Sequence, residues 1–118
     1  MATIDDIIEA RDAATKQLTA QIRDGVKKAA NESASPKRKK LLDEVDRLRE
    51  LRNQVAIQAY MRAMDSPELK ASLDAIRAAT KAMKEVAKKM QTVTGYINNA
   101  ANLLGAGEKV VAALKPAK

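Results

Sequence analysis

The feature that most constrains this chain is a run of residues at alternating steps of four and three: Leu69, Leu73, Ile76, Thr80, Met83, Ala87, Met90, Thr94, Ile97, Ala101 and Leu104. Side chains at that spacing line one side of an α-helix, so the segment reads as a helical seam that other helices must cover. The first half of the chain supplies two more segments of similar character. The expected fold class is therefore all-α: an elongated antiparallel three-helix bundle with a possible short C-terminal fourth helix, in a single domain of 118 residues.

Alanine makes up 23 of the residues, and phenylalanine and tryptophan are absent. Alanine buries little area, so stability has to come from helix propensity and close backbone approach as much as from large side chains. That composition favours a thin bundle over a thick globule.

Helices are expected at about residues 3–30, 36–64, 67–104 and 108–115. Thr3 is placed to cap the first, with Asp5 and Asp6 near the positive end of its dipole. Its inward stripe reads Ile4, Ile7, Ile8, Ala14, Leu18, Ile22, Val26 and Ala29. Gly25 interrupts this stripe at a cost of about 1 kcal/mol relative to alanine, which suggests either fraying or a close helix contact. Ser35 and Pro36 form a helix start, and the second stripe reads Leu41, Val45, Leu48, Leu51 or Arg52, Val55 and Ala59, widened by Leu42, Ile57, Tyr60, Met61 and Met64. Asp65, Ser66, Pro67 and Glu68 repeat the start signal and predict a tight antiparallel hairpin between helices two and three. Helix three, at about 1.5 Å per residue, would be roughly 57 Å long and overhang the others.

Several chemistries lack their parts. There is no cysteine and no histidine. Disulfides, thiolate catalysis, imidazole acid–base work and the commonest zinc ligands are thereby removed. The acids Asp5, Asp6, Glu9 and Asp43, Glu44, Asp46 read as first-turn electrostatics and surface pairing, because a helical di-metal site draws on Glu-x-x-His motifs. Gly25, Gly95, Gly105 and Gly107 do not form a phosphate loop. No catalytic residue, metal or cofactor is expected, no small-molecule substrate is evident, and the reading is of a non-enzymatic protein. The opening Met1, Ala2, Thr3 and acidic first turn lack the pattern of a secretory signal, so a cytoplasmic location is expected.

The net charge of +7 is unevenly spread. Residues 1–24 carry −2, residues 25–40 carry +5, residues 41–66 carry −1 and residues 67–118 carry +5. Lys37, Arg38, Lys39 and Lys40, joined by Lys27 and Lys28 across the first turn, form one candidate polyanion site. Lys81, Lys84 and Lys88, with Lys70 and Arg77, form a basic stripe along helix three, offset by Asp74 and Glu85. Nucleic acid or an anionic membrane surface is the partner these would suit, although no aromatic residue accompanies them for base stacking.

Against that charge, Met90 to Gly107 contains no charged residue at all. Uncharged small residues let helices approach closely, and Tyr96 and the asparagines offer hydrogen bonds at low desolvation cost. Two readings are open: the segment meets a second protomer or a partner protein, or the last short helix folds back and buries it within the chain. The preferred reading is a protein–protein interaction module, self-associating or gripping a partner through Tyr96, Ile97, Ala100, Ala101, Leu103 and Leu104.

Overall fold

The computed structural model of the chain describes residues 3–57 and 67–114. These form four long helices: α1 (Ile4–Asn31), α2 (Ser35–Ile57), α3 (Pro67–Ala87) and α4 (Val93–Leu114).

Helix α1 starts where its sequence says it should. The Thr3 hydroxyl accepts the Asp6 N–H at 3.2 Å and the Asp6 carboxylate accepts the Thr3 N–H at 2.9 Å, a reciprocal cap that satisfies two otherwise orphaned donors. At the other end Glu32 turns the chain, its carboxylate accepting the Ala34 N–H at 2.9 Å. The first turn of α2 then closes from the Arg38 N–H to the Ala34 carbonyl at 3.0 Å, leaving Pro36 where its missing N–H costs nothing.

The core is one layer of interdigitated side chains from all four helices. Ile7, Leu18, Leu41, Val45, Leu48, Val55, Ile76, Met83, Met90, Tyr96, Leu103, Val110 and Leu114 are all essentially inaccessible. Helix α1 packs on α2 and α3, and α4 packs on the same two; α1 and α4 meet lightly across the diagonal, and α2 and α3 do not touch among the described residues. The cross-section is thus a square with the order α1, α2, α4, α3. Tyr96 sits beside Gly25 and Val45 while Gly107 sits against Leu51, so α4 descends alongside α2. The bundle measures about 53 × 22 × 20 Å.

Three expectations are corrected. The first is the single long helix over residues 67–104, which is two helices separated by residues 88–92. At about 1.5 Å per residue each spans roughly 32 Å, shorter than α1, so α3 does not make the expected overhang, and the fourth helix is long rather than short. The cause lies in Thr92, Val93, Thr94 and Gly95, a cluster of weak helix formers. Thr92 caps α4: its hydroxyl accepts the Gly95 N–H at 2.9 Å and its carbonyl the Tyr96 N–H at 2.8 Å. Asn99 locks the turn from the other side, donating to the Gly95 carbonyl at 2.8 Å.

The second is the seam itself. Leu73, Ile76, Thr80, Met83 and Met90 are buried as expected. Beyond the break the buried line moves by one residue to Tyr96, Ala100, Leu103, Gly107, Val110 and Leu114, again in steps of four and three. Thr94 and Ala101 are therefore exposed and Ile97 and Leu104 only half-buried. The third is the hairpin between helices two and three. The two helices occupy opposite corners of the square, because α4 takes the place beside α2 that α3 was expected to fill.

In the first half, Ile8, Val26 and Leu42 were expected inward and are exposed at 39%, 38% and 42%. Ala10 and Gly25 take the inward positions instead. The expected end of helix two at residues 58–64, with Ala59, Tyr60, Met61 and Met64, lies outside the described residues, as do the turn at Asp65 and Ser66 and the side chains of Ile4, Ile57 and Leu69. Among the described residues no helix is long and apolar enough to cross a membrane.

Candidate interaction surface

The uncharged segment is divided by its helix into an inner and an outer side. Tyr96, Ala100 and Leu103 are fully buried in the core and offer a partner no surface. Tyr96 acts as a clamp there: its hydroxyl donates to the Gln21 carbonyl at 2.7 Å, tying the start of α4 to α1. Burial, reinforced by Asp24 and Glu44, pushes its phenol well above the ordinary tyrosine value. Of the six expected contact residues, Ile97 and Leu104 keep part of their surface and Ala101 is exposed.

Ala101 belongs to a stripe on α4 that sequence reasoning did not isolate. Thr94, Asn98, Ala101, Asn102, Gly105, Lys109 and Ala112 recur at helical spacing and are all exposed. Near its lower end this stripe borders a groove of about 490 Å³ between α3 and α4, lined by Ala75, Ala78, Ala79, Ala82, Ala112 and Ala113, with Lys109 its one charged residue. The signal was present in the sequence as Ala71, Ala75, Ala78 and Ala82 at steps of four and three, two residues along from the seam and so on roughly the opposite side of the helix. Alanines at that spacing are ambiguous between core and surface, and only the position of α4 decides which of them stay uncovered.

The basic residues fall into two groups. Lys70 and Lys88 are held by Asp74 and Glu85 at 2.9 and 3.4 Å, as their spacing suggested, and Lys28 is held by Asp24 at 2.7 Å. Arg77, Lys81 and Lys84 line a depression of about 300 Å³ between α3 and α1, across from Asp6 and Glu9. Lys27 and Lys37 to Lys40 are exposed at the α1–α2 turn. A further basic groove, not expected from sequence, runs between α1 and α2 with Arg23, Lys27, Arg49 and Arg52 on its rim.

No family model, curated protein or solved structure matches this chain. The surface chemistry must carry the functional reading by itself. Among the described residues no group of three or more acidic, cysteine or histidine side chains is placed to hold a metal ion.

Proposed function

We propose that this protein is a non-enzymatic association module, a helical bundle that grips a protein partner through the outer side of α3 and α4. The observation that carries this reading is the alanine-lined groove between those helices and the exposed stripe from Thr94 to Ala112 that borders it. In a chain with 31% charged residues, such a stretch leaves little to desolvate when another helix packs against it. Small side chains on both walls allow close backbone approach, and Asn98 and Asn102, exposed farther along the same stripe of α4, offer hydrogen bonds.

The test is paired affinity capture from the source cells with wild-type protein and with Ala78→Glu/Ala112→Glu, checking helicity by circular dichroism. Both positions are exposed, so the fold should survive. A partner held by the wild type and lost by the variant supports the reading; equal retention by both refutes this surface.

A second reading is favoured by one observation. Lys37, Arg38, Lys39 and Lys40 are all exposed and make no ion pair within the described residues. That end of the bundle suits peripheral binding to nucleic acid or an anionic membrane. Such binding would weaken steeply with salt and vanish when the four residues are reversed to glutamate, whereas capture by the alanine groove would respond little to either change.

A further inference from the structure

The outward side of α1 carries a charge pattern that is complementary to itself when reversed. Its first half presents Asp5, Glu9 and Asp12, its second half presents Arg23 and Lys27, and Lys16 stands near the middle, all exposed. Turning the helix end for end about the point between Gln17 and Leu18 carries position 12 onto 23, 9 onto 26, 8 onto 27 and 5 onto 30. Asp12 then faces Arg23 of a second copy, and Glu9 lies against Lys27. Every acid meets the basic half and every base but the central Lys16 meets the acidic half.

The hydrophobic residues fit the same operation. Ile8 and Val26 are two of the three exposed large hydrophobics among the described residues. They are eighteen positions apart, five full turns at 3.6 residues per turn, and so lie on one line along the flank of α1 that faces α2. A two-fold axis relating antiparallel α1 helices keeps the α2 flanks on the same side, which brings Ile8 of one copy to Val26 of the other, twice.

These groups are not already used. Among the described residues Asp5, Glu9, Lys16, Arg23, Lys27 and Arg52 form no ion pair, and Asp12 reaches only its neighbour Arg11 at 3.5 Å. The receiving end is more basic than α1 alone provides, because Arg49 and Arg52 of α2 stand beside Arg23 and Lys27. The cations of α3 near Glu9 line the opposite flank, away from the Ile8–Val26 line. Depressions left by Ala13 and Thr19 in the middle of the helix make room for a neighbouring helix. An isologous contact of this kind closes on itself and stops at two copies.

We infer that the protein forms a two-fold dimer through antiparallel pairing of α1 with α1 of a second copy. This does not rest on the α3–α4 reading, and it can fail independently of it. The test is solution mass by light scattering at low and high salt, on the wild type and on two variants. Glu9→Lys/Asp12→Lys makes the face basic but for Asp5, and Arg23→Glu/Lys27→Glu makes it acidic but for Lys16. The wild type should run at twice 12.8 kDa at low salt and dissociate as salt rises. Each variant alone should weaken the dimer at least about tenfold, since attractive pairs become repulsive at both ends. An equimolar mixture of the two variants should restore it, because both 12/23 pairs and both 9/27 pairs then join opposite charges. A wild type that is monomeric at every concentration, variants that dimerise as well as the wild type, or a mixture that stays monomeric would each overturn the inference. So would a dimer that survives the α1 changes and is lost with Ala78→Glu/Ala112→Glu.

Discussion

Replacing Gly25 with alanine separates two physical accounts that predict opposite signs. In a helix whose glycine is merely exposed, the change stabilises by about 1 kcal/mol, because alanine restricts the unfolded chain and loses nothing on folding. Gly25 is not such a site. A Cβ built there would overlap the Tyr96 hydroxyl, lie 2.5 Å from Cγ2 of Val45 and lie 2.7 Å from Cζ of Tyr96. Contacts of that kind need well over 3 Å, so three helices meet at one missing side chain. The Tyr96 ring has little room to retreat, because its hydroxyl is anchored on Gln21 at 2.7 Å and moving it gives up a hydrogen bond worth about 1 kcal/mol. Overpacking of a tight core costs about 1 to 3 kcal/mol. The steric and hydrogen-bond costs exceed the propensity gain, and Gly25→Ala should destabilise by about 1 to 3 kcal/mol.

The internal control is Gly105, where a Cβ would meet nothing within 4 Å. Gly105→Ala should therefore stabilise by about 1 kcal/mol, the ordinary helix value. Urea titration followed by far-ultraviolet circular dichroism reads both. With a slope of about 1 to 3 kcal/mol per molar, the two midpoints should move apart by roughly 1 M, in opposite directions from the wild type. Adding Val45→Ala to Gly25→Ala should recover part of the loss, giving a combined effect smaller than the sum of the two. If Gly25→Ala raises the midpoint as Gly105→Ala does, the account of Gly25 as the crossing point of α1, α2 and α4 is wrong.

Three further outcomes follow from the same packing. Tyr96→Phe should cost about 1 kcal/mol at neutral pH, and that cost should shrink in alkali. The folded protein holds the Tyr96 proton more tightly than the unfolded chain does, so stability falls as pH rises past the ordinary value of 10.0, by up to about 1.4 kcal/mol per pH unit, and Tyr96→Phe removes that component; urea midpoints of both proteins at pH 9, 10 and 11 decide it. Thr92→Ala deletes the cap of α4 and should cost about 1 kcal/mol, with the amide of Gly95 exchanging hydrogen faster than its neighbours. Leu48→Ala empties a fully buried position and should cost about 2 to 5 kcal/mol by thermal or urea unfolding; a smaller loss would mean the core is loosely packed around α2.

Periodicity made the fold class legible and left the topology hidden. Strong start signals such as Thr3 and the Ser35–Pro36 pair placed α1 and the beginning of α2 to within a residue or two, because capping is a local interaction. The break at residues 88–92 was masked by its own regularity. Met90 is buried in the turn on the heptad step expected of a continuous helix, so the seam reads straight through the interruption. Thr92 to Gly95 carried the contrary evidence, but weak helix formers in the middle of a long seam are often overridden by tertiary packing. Once that break is missed, the outer side of α4 is displaced by one residue. That is why Tyr96, Ala100 and Leu103 read as contact surface. Ile8 and Val26 failed for a different reason: a stripe wider than the contact it serves looks the same in sequence as a buried one, and only the positions of α2 and α3 show which edge is left uncovered.

The two proposed surfaces have a geometric relation that yields a last prediction. Helices α1 and α4 occupy opposite corners of the square, so a dimer closed through α1 leaves the α4 side of each copy pointing away from the two-fold axis. Such a dimer presents two identical grips in opposite directions. Linking two sites in one body raises apparent affinity for a partner that is itself repeated or immobilised, through effective concentration, while leaving each single contact unchanged. The charge-reversed α1 variants should therefore bind a captured partner in free solution as the wild type does, yet dissociate faster from a surface densely coated with it. Measured by surface-immobilised binding at low and high partner density, the wild type should gain residence time with density and the variants should not. Equal density dependence in both would show that α1 and α4 act separately, whatever the oligomeric state.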